Sequence, residues 1–281
     1  MTHVSDPILE RLVTTVRDLP GYVAMSLGGS TQVGLADDHS DYDIHVFWRA
    51  PLAGPEQRAE RLGRIADPGS VRVDIRSWGL EDWLHIDRRP VELTYFNLDD
   101  LQAHVAQAYG QGLADEGFAT ALLYIIATGH PLFDATGEVA ALRERLHAQF
   151  PESTRDLLLT HHTPLLGTYV KHLRLAQARG DLLSVQHRRY TVQMVFFNLL
   201  FTLNRRYHPG EKRLLIHVAR CPLQPPDLAA RWNRAACRGA GDPALADDLD
   251  SLCDDLRALI AIVEGRGRAV ATPPARPEEA R

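Results

Sequence analysis

The sequence predicts an α/β half spanning residues 1–136, an all-α half spanning 137–270 and a disordered tail over 271–281. Three observations predict this. Short apolar runs of strand character, at 22–27, 44–48, 71–76 and 91–96, fall only in the first half. After Gly137 the strand signals stop and helical periodicity takes over, closing with Leu245, Leu249, Leu252, Leu256, Leu259 and Ile260 on one stripe. The last residues are rich in Pro and Glu, a composition that cannot build a core.

Each element follows from local chemistry. Asp6-Pro7 with Ile8, Leu9, Leu12, Val13 and Val16 reads as an amphipathic helix, with Pro7 in its first turn. Asp18-Leu19-Pro20-Gly21 ends it. A strand over 22–27 breaks at Gly28-Gly29-Ser30, and a second strand starts at Asp41-Tyr42-Asp43. Residues 51–55 read as a loop, 56–66 as a polar helix with Leu62 and Ile65 inward, and Asp67-Pro68-Gly69 as a turn. Clean alternation over 71–76 gives a half-buried strand with Arg72, Asp74 and Arg76 on its polar face. Residues 79–89 read as a connection or short helix. A strand over 91–96 carries Glu92, and helices are expected over 99–108 and 117–127. In the second half the periodicity predicts helices over 139–150, 154–179, 181–207, 211–219, 226–237 and 243–263.

The stretch from Leu27 to Phe47 carries the chemistry. Side chains alternate along a strand, so Asp41 and Asp43 share a face while Tyr42, Ile44 and Val46 share the other, apolar one. Two such carboxylates repel each other. A divalent cation between them removes the conflict, and hard oxygen ligands suit magnesium. Gly28 and Gly29 let backbone amides approach a ligand closely, and Ser30 is a good helix N-cap. Amides at a helix start make a phosphate site. An Asp-x-Asp alone is usually a solvated strand end, and a Gly-Gly-Ser alone is usually a turn. Together at this spacing, between two strands, they favour a catalytic reading.

At these residues the chain resembles the nucleotidyltransferase superfamily, whose pattern is Gly-Gly/Ser, Ser, a spacer of about ten residues, then Asp-x-Asp/Glu. The segment Pro90-Val91-Glu92-Leu93-Thr94-Tyr95-Phe96, followed by Asn97-Leu98-Asp99-Asp100-Leu101, looks like the third-acid segment of antibiotic nucleotidyltransferases. Residues 128–138 look like the segment that leaves the catalytic domain in those enzymes. The resemblance implies a mixed sheet with flanking helices, then an all-α domain that forms a substrate and nucleotide wall. It also implies a magnesium-dependent transfer of a nucleoside monophosphate, AMP from ATP being expected, to a hydroxyl of a small molecule such as an aminoglycoside-like acceptor. Pyrophosphate is released.

The resemblance assigns roles residue by residue. Asp41 and Asp43 would bind two Mg2+ ions about 4 Å apart, with Glu92 as a further ligand or as general base at the acceptor hydroxyl. Gly28, Gly29 and Ser30 would hold phosphates. A lysine of the helical domain serves the triphosphate in antibiotic-modifying relatives, and Lys212 matches it; a cation complementing a helix C-terminus explains Lys212 equally well. Asp74 is a rival third acid, and the surrounding resemblance favours Glu92. For Arg205, Arg206 and the cluster 187–190, dipole complementation and solvation suffice. His161-His162 lacks an acidic partner at metal-ligand spacing. Trp78, Trp83 and Tyr95 could flank an acceptor, but core packing is the commoner fate of such aromatics.

Composition narrows the partners. Apolar residues make up 45% and charged residues 24% of the 281-residue chain, values ordinary for a soluble globular protein. A net charge of -5 supplies no basic field and weighs against a nucleic-acid partner. Cys221, Cys237 and Cys253 are odd in number and form no CxxC pair, which points to a reducing, cytoplasmic setting without zinc or disulfides. No secretory signal or membrane span is expected. A homodimer is left open, since some relatives build the site across one. Two alternatives stand beside the main reading: transfer to a protein or RNA hydroxyl, and a silent nucleotide-binding regulatory module.

Overall fold

The computed structural model describes residues 6–29, 41–77 and 79–271, with side chains through residue 265. Ser30, Trp78 and the expected tail from residue 272 onward lie outside these residues. The chain divides into two compact units, Met1–Gly110 with Leu122–Pro151, and Gln111–Ala121 with Glu152–Arg281. Among the described residues no helix is long and apolar enough to cross a membrane.

The first unit is built on a mixed six-stranded sheet with flanking helices. Its strands are β1 (Tyr22–Leu27), β2 (Tyr42–Trp48), β3 (Arg72–Ile75), β4 (Leu80–Ile86), β5 (Arg89–Asn97) and β6 (His130–Asp134). They lie in the order β3-β4-β5-β2-β1-β6, with β2 and β5 parallel and every other neighbouring pair antiparallel. The helices are α1 (Pro7–Val16), α2 (Pro55–Gly63), α3 (Leu98–Gly110), α4 (Ala121–Thr128) and α5 (Glu138–Ala148). Asp6 caps α1, and its other carboxylate oxygen accepts from the Tyr42 hydroxyl at 2.5 Å, which ties the head of β2 to that helix. Leu9, Leu12 and Val16 of α1 and Leu62 of α2 pack on one sheet face with Tyr42, Ile44, Val46, Val91, Leu93 and Leu84. The alternation read from the sequence therefore holds. The apolar set of β2 faces a core, and Asp41 and Asp43 are left for the opposite face.

Three elements differ from the sequence reading. Residues 80–86 form strand β4, not a connection or helix. The strand turns into β5 through Asp87 and Arg88, both at positive φ, the conformation a two-residue hairpin needs. The expected helix over 117–127 begins only at Ala121, because Phe118 sits at φ 54, outside the helical region. Residues 130–134 pair with β1 as an edge strand.

The unit boundary also falls elsewhere than the cut at 137. Helix α5 stays with the sheet because Arg49 at the end of β2 binds Glu138 through two bonds of 2.7 and 2.8 Å and Asp99 at 2.8 Å. The Tyr109 hydroxyl adds bonds to the carbonyls of Arg145 and Gln149.

The second unit is helical, with α6 (Glu152–Ala178), α7 (Leu182–Leu203), α8 (Leu214–Val218), α9 (Leu228–Cys237) and α10 (Ala244–Ala271). Its core is packed from Leu166, Val170, Leu173, Phe196, Phe197, Leu200, Trp232, Leu249, Leu252 and Leu256. The segment 111–121 is fixed to it by buried polar groups. Asn198 bonds to Ala119 N and Asp115 O, Thr154 to Leu113 N, and Thr120 to His208 N. The His208 ring lies edge-on to Phe118 and Phe201, at 5.0 and 5.1 Å. Burial drives its pKa down to about 3.

Candidate active site

The site assembles where β1 ends and β2 begins. Leu27 pairs with Ile44, and the Gly28 amide donates to the Asp43 carbonyl at 2.8 Å, extending the antiparallel ladder by one step. On its other side β2 runs parallel to β5, with Asp43 and Glu92 as register partners. Asp41, Asp43 and Glu92 thereby converge, each offering a ligand atom within 4.8 Å of the others. All three are half-buried. Three carboxylates this close repel strongly unless cations or protons intervene, and their oxygens match the donor set that hard divalent cations prefer.

The two glycines are shaped by this cluster. Gly29 has φ +64, and a Cβ on it would fall inside the Asp43 carboxylate. Its backbone thus lies directly against the acid, where only glycine fits. A Cβ on Gly28 would fall inside the imidazole of His45. His45 was not singled out from the sequence, although it lies two residues beyond Asp43 on the same strand face. Its ring is buried, 3.5 Å from Ser26 Oγ and edge-on to Phe96 at 5.7 Å. Burial lowers its pKa to about 4, so the turn rests on a neutral imidazole.

The other candidates sort by position. Asp74 lies on β3, at the far end of the sheet, and pairs with Arg76 at 3.1 Å. It is not with the acids; Glu92 is. Tyr95 points to the opposite face, where its hydroxyl bonds to Asp82 at 2.7 Å and Tyr22 at 2.6 Å. Asp82 also takes two bonds from Arg58, at 2.8 and 3.2 Å, and both partners are fully buried. This network lies beneath β4, β5 and β1 and stiffens the strands that carry the acids. Trp83, in contrast, is 40% exposed and is the register partner of Glu92 across β4 and β5.

In the helical unit, Lys212 is exposed just before α8. Arg205 is committed to Glu152 by two bonds, at 2.7 and 3.1 Å. His162 is buried, its Nε2 3.2 Å from the Ala114 carbonyl. Ser30 falls outside the described residues.

A family model described as "Domain of unknown function (DUF4037)" matches residues 118–214. No curated protein matches the chain. Among solved structures, the chain is similar to a nucleotidyltransferase-like protein from Exiguobacterium sibiricum, at 12% identity and a TM-score of 0.47. The match covers 93% of this chain and 78% of that one. So loose a likeness transfers no chemistry, and the functional reading rests on the residues of this chain.

Proposed function

We propose that this protein is a magnesium-dependent nucleotidyltransferase that moves a nucleoside monophosphate, AMP from ATP, to a hydroxyl of a small molecule. The observation that carries the reading is the convergence of Asp41, Asp43 and Glu92 within 4.8 Å beside a glycine turn whose backbone abuts Asp43. Asp41, Asp43 and Glu92 would hold divalent cations. Bound there, such cations offset the charge that builds on the phosphoryl oxygens and on pyrophosphate.

The chain's own residues do the rest. The Gly28–Gly29 backbone lies against the Asp43 carboxylate and the His45 ring, so phosphates at this turn would sit next to the acids, and the neutral His45 adds no charge of its own. The acceptor hydroxyl attacks the α-phosphorus. A P–O bond forms to the acceptor, and the bond to the β-phosphate oxygen breaks, its electron pair leaving on pyrophosphate. Glu92, on the β5 side of the cluster, takes the hydroxyl proton as general base. The acidic cluster and the net charge of -5 favour a cationic, aminated acceptor over a nucleic acid, consistent with a role in the cytoplasm on an antibiotic-like molecule.

The test is pyrophosphate release from each of the four nucleoside triphosphates with magnesium, against aminoglycosides, lincosamides and bulk tRNA. Release that depends on one small hydroxylated acceptor is the expected result. Release with tRNA alone would replace the acceptor class, and no release with any acceptor would overturn the reading.

A further inference from the structure

An exposed tryptophan on a sheet face beside a carboxylate cluster calls for explanation. Trp83 and Glu92 are direct partners on antiparallel strands, so their side chains stand on the same face, about 5 Å apart at Cβ. Trp83 as a residue is 40% exposed. It does not swing freely, because its Nε1 donates to Glu81 Oε2 at 3.2 Å. Glu81 is fully buried two residues before it, and the Ser77 hydroxyl donates to the same oxygen. A buried carboxylate costs stability unless it is satisfied, and here it fixes the edge of the indole while the residue as a whole stays exposed.

The order of strands says which reactant meets that face. Across the sheet the order β4-β5-β2-β1 sets Trp83, Glu92, Asp43 and Gly28–Gly29 in sequence. The glycine turn lies three strand spacings from Trp83, about 14 Å. With phosphates at the turn and the acids in the middle, the leaving pyrophosphate departs on the β1 side. The attacking hydroxyl must then enter from the opposite, β4 side, since displacement at phosphorus runs in line. Trp83 is therefore on the acceptor's side.

Resting on the nucleotidyltransferase reading above, we infer that Trp83 is the stacking platform for the acceptor and that the acceptor carries a saturated hydroxylated ring. Such a ring has C–H groups on its face and hydroxyls at its edge. Laid on the indole, it keeps its edge hydroxyls at the level of the neighbouring Glu92. Amino substituents on the ring gain from the indole face and from the carboxylates alike.

The experiment compares Trp83→Ala and Trp83→Phe with the wild type, using the triphosphate and hydroxylated-ring acceptor that give the fastest pyrophosphate release. The expected result for Trp83→Ala is an acceptor KM raised about tenfold, with kcat at saturating acceptor falling less than about threefold. The triphosphate KM stays within about twofold of wild type, and Trp83→Phe recovers most of the loss. An unchanged acceptor KM in Trp83→Ala would overturn the platform while leaving the nucleotidyltransferase reading intact. So would a rise in the triphosphate KM matching that of the acceptor, which would place the nucleobase on the indole. A wild type that releases no pyrophosphate with any acceptor would overturn the reading and the platform together.

Discussion

Asp43 and Glu92 are register partners on adjacent parallel strands, so the backbone ladder itself holds their carboxylates side by side. The cluster is thus preorganised, and the cost of keeping three like charges within 4.8 Å is built into the fold before any ligand arrives.

Asp43→Asn is expected to abolish transfer, lowering kcat by about 1,000-fold. The same change relieves repulsion worth about 1 kcal/mol at these separations. In a chelator the variant should therefore unfold at a higher temperature than the wild type. Magnesium should raise the wild-type Tm but leave the variant's where it was. Thermal scans with and without magnesium check both.

Gly29→Ala combines a positive φ with a Cβ that collides with the Asp43 carboxylate. The backbone cost is about 1–2 kcal/mol, which the fold survives, but the acid must move. Expected is a folded protein whose magnesium-dependent Tm increase is lost and whose activity drops at least about 100-fold. Circular dichroism together with the pyrophosphate assay decides it.

Asp82→Asn takes the close counter-charge from the buried Arg58 guanidinium and leaves it only the half-exposed Asp74 carboxylate, 3.9 Å away. Loss of one partner of such a pair costs about 3–5 kcal/mol. Tyr95→Phe removes one bond to Asp82 and one to Tyr22 and should cost about 1–2 kcal/mol. Urea unfolding midpoints should rank wild type, Tyr95→Phe, Asp82→Asn in falling order.

Acid should weaken this protein through its buried histidines. His208 has its pKa lowered to about 3 and His45 to about 4, against 6.5 when unfolded. Between those values the unfolded chain binds the extra protons, so stability is full above pH 6.5 and falls as pH drops. At pH 5 each group costs about 2 kcal/mol. In His208→Gln the loss of stability between pH 7 and pH 5 should shrink by about that amount, whatever the variant's stability at pH 7. Urea titrations at the two pH values measure it.

Much of this was legible in the residues themselves. The alternation Asp41-Tyr42-Asp43-Ile44 placed the acids on one face and the apolar set on the other, and the sheet keeps that division. Glu92 depended on resemblance, because nothing local says that β5 will lie beside β2. Strand β4 was hidden by its turn: Asp87-Arg88 takes a hairpin conformation without the glycine or asparagine that usually announces one. The Arg58–Asp82 pair spans 24 residues and becomes visible only once α2 packs beside β4. His45 carried a readable signal, its spacing of two from Asp43, that periodicity alone could not separate from an ordinary strand residue.

The excursion of residues 111–121 into the helical unit bears on synthesis. The sheet lacks its outer strand β6 until residue 134 has been made, and α5 reaches Arg49 through Glu138. A nascent chain halted at Gly110 exposes the bare edge of β1 to any other strand that can pair with it. The first unit therefore cannot mature on the ribosome in the order its residues are numbered; it waits for about forty residues more, eleven of which belong to its neighbour.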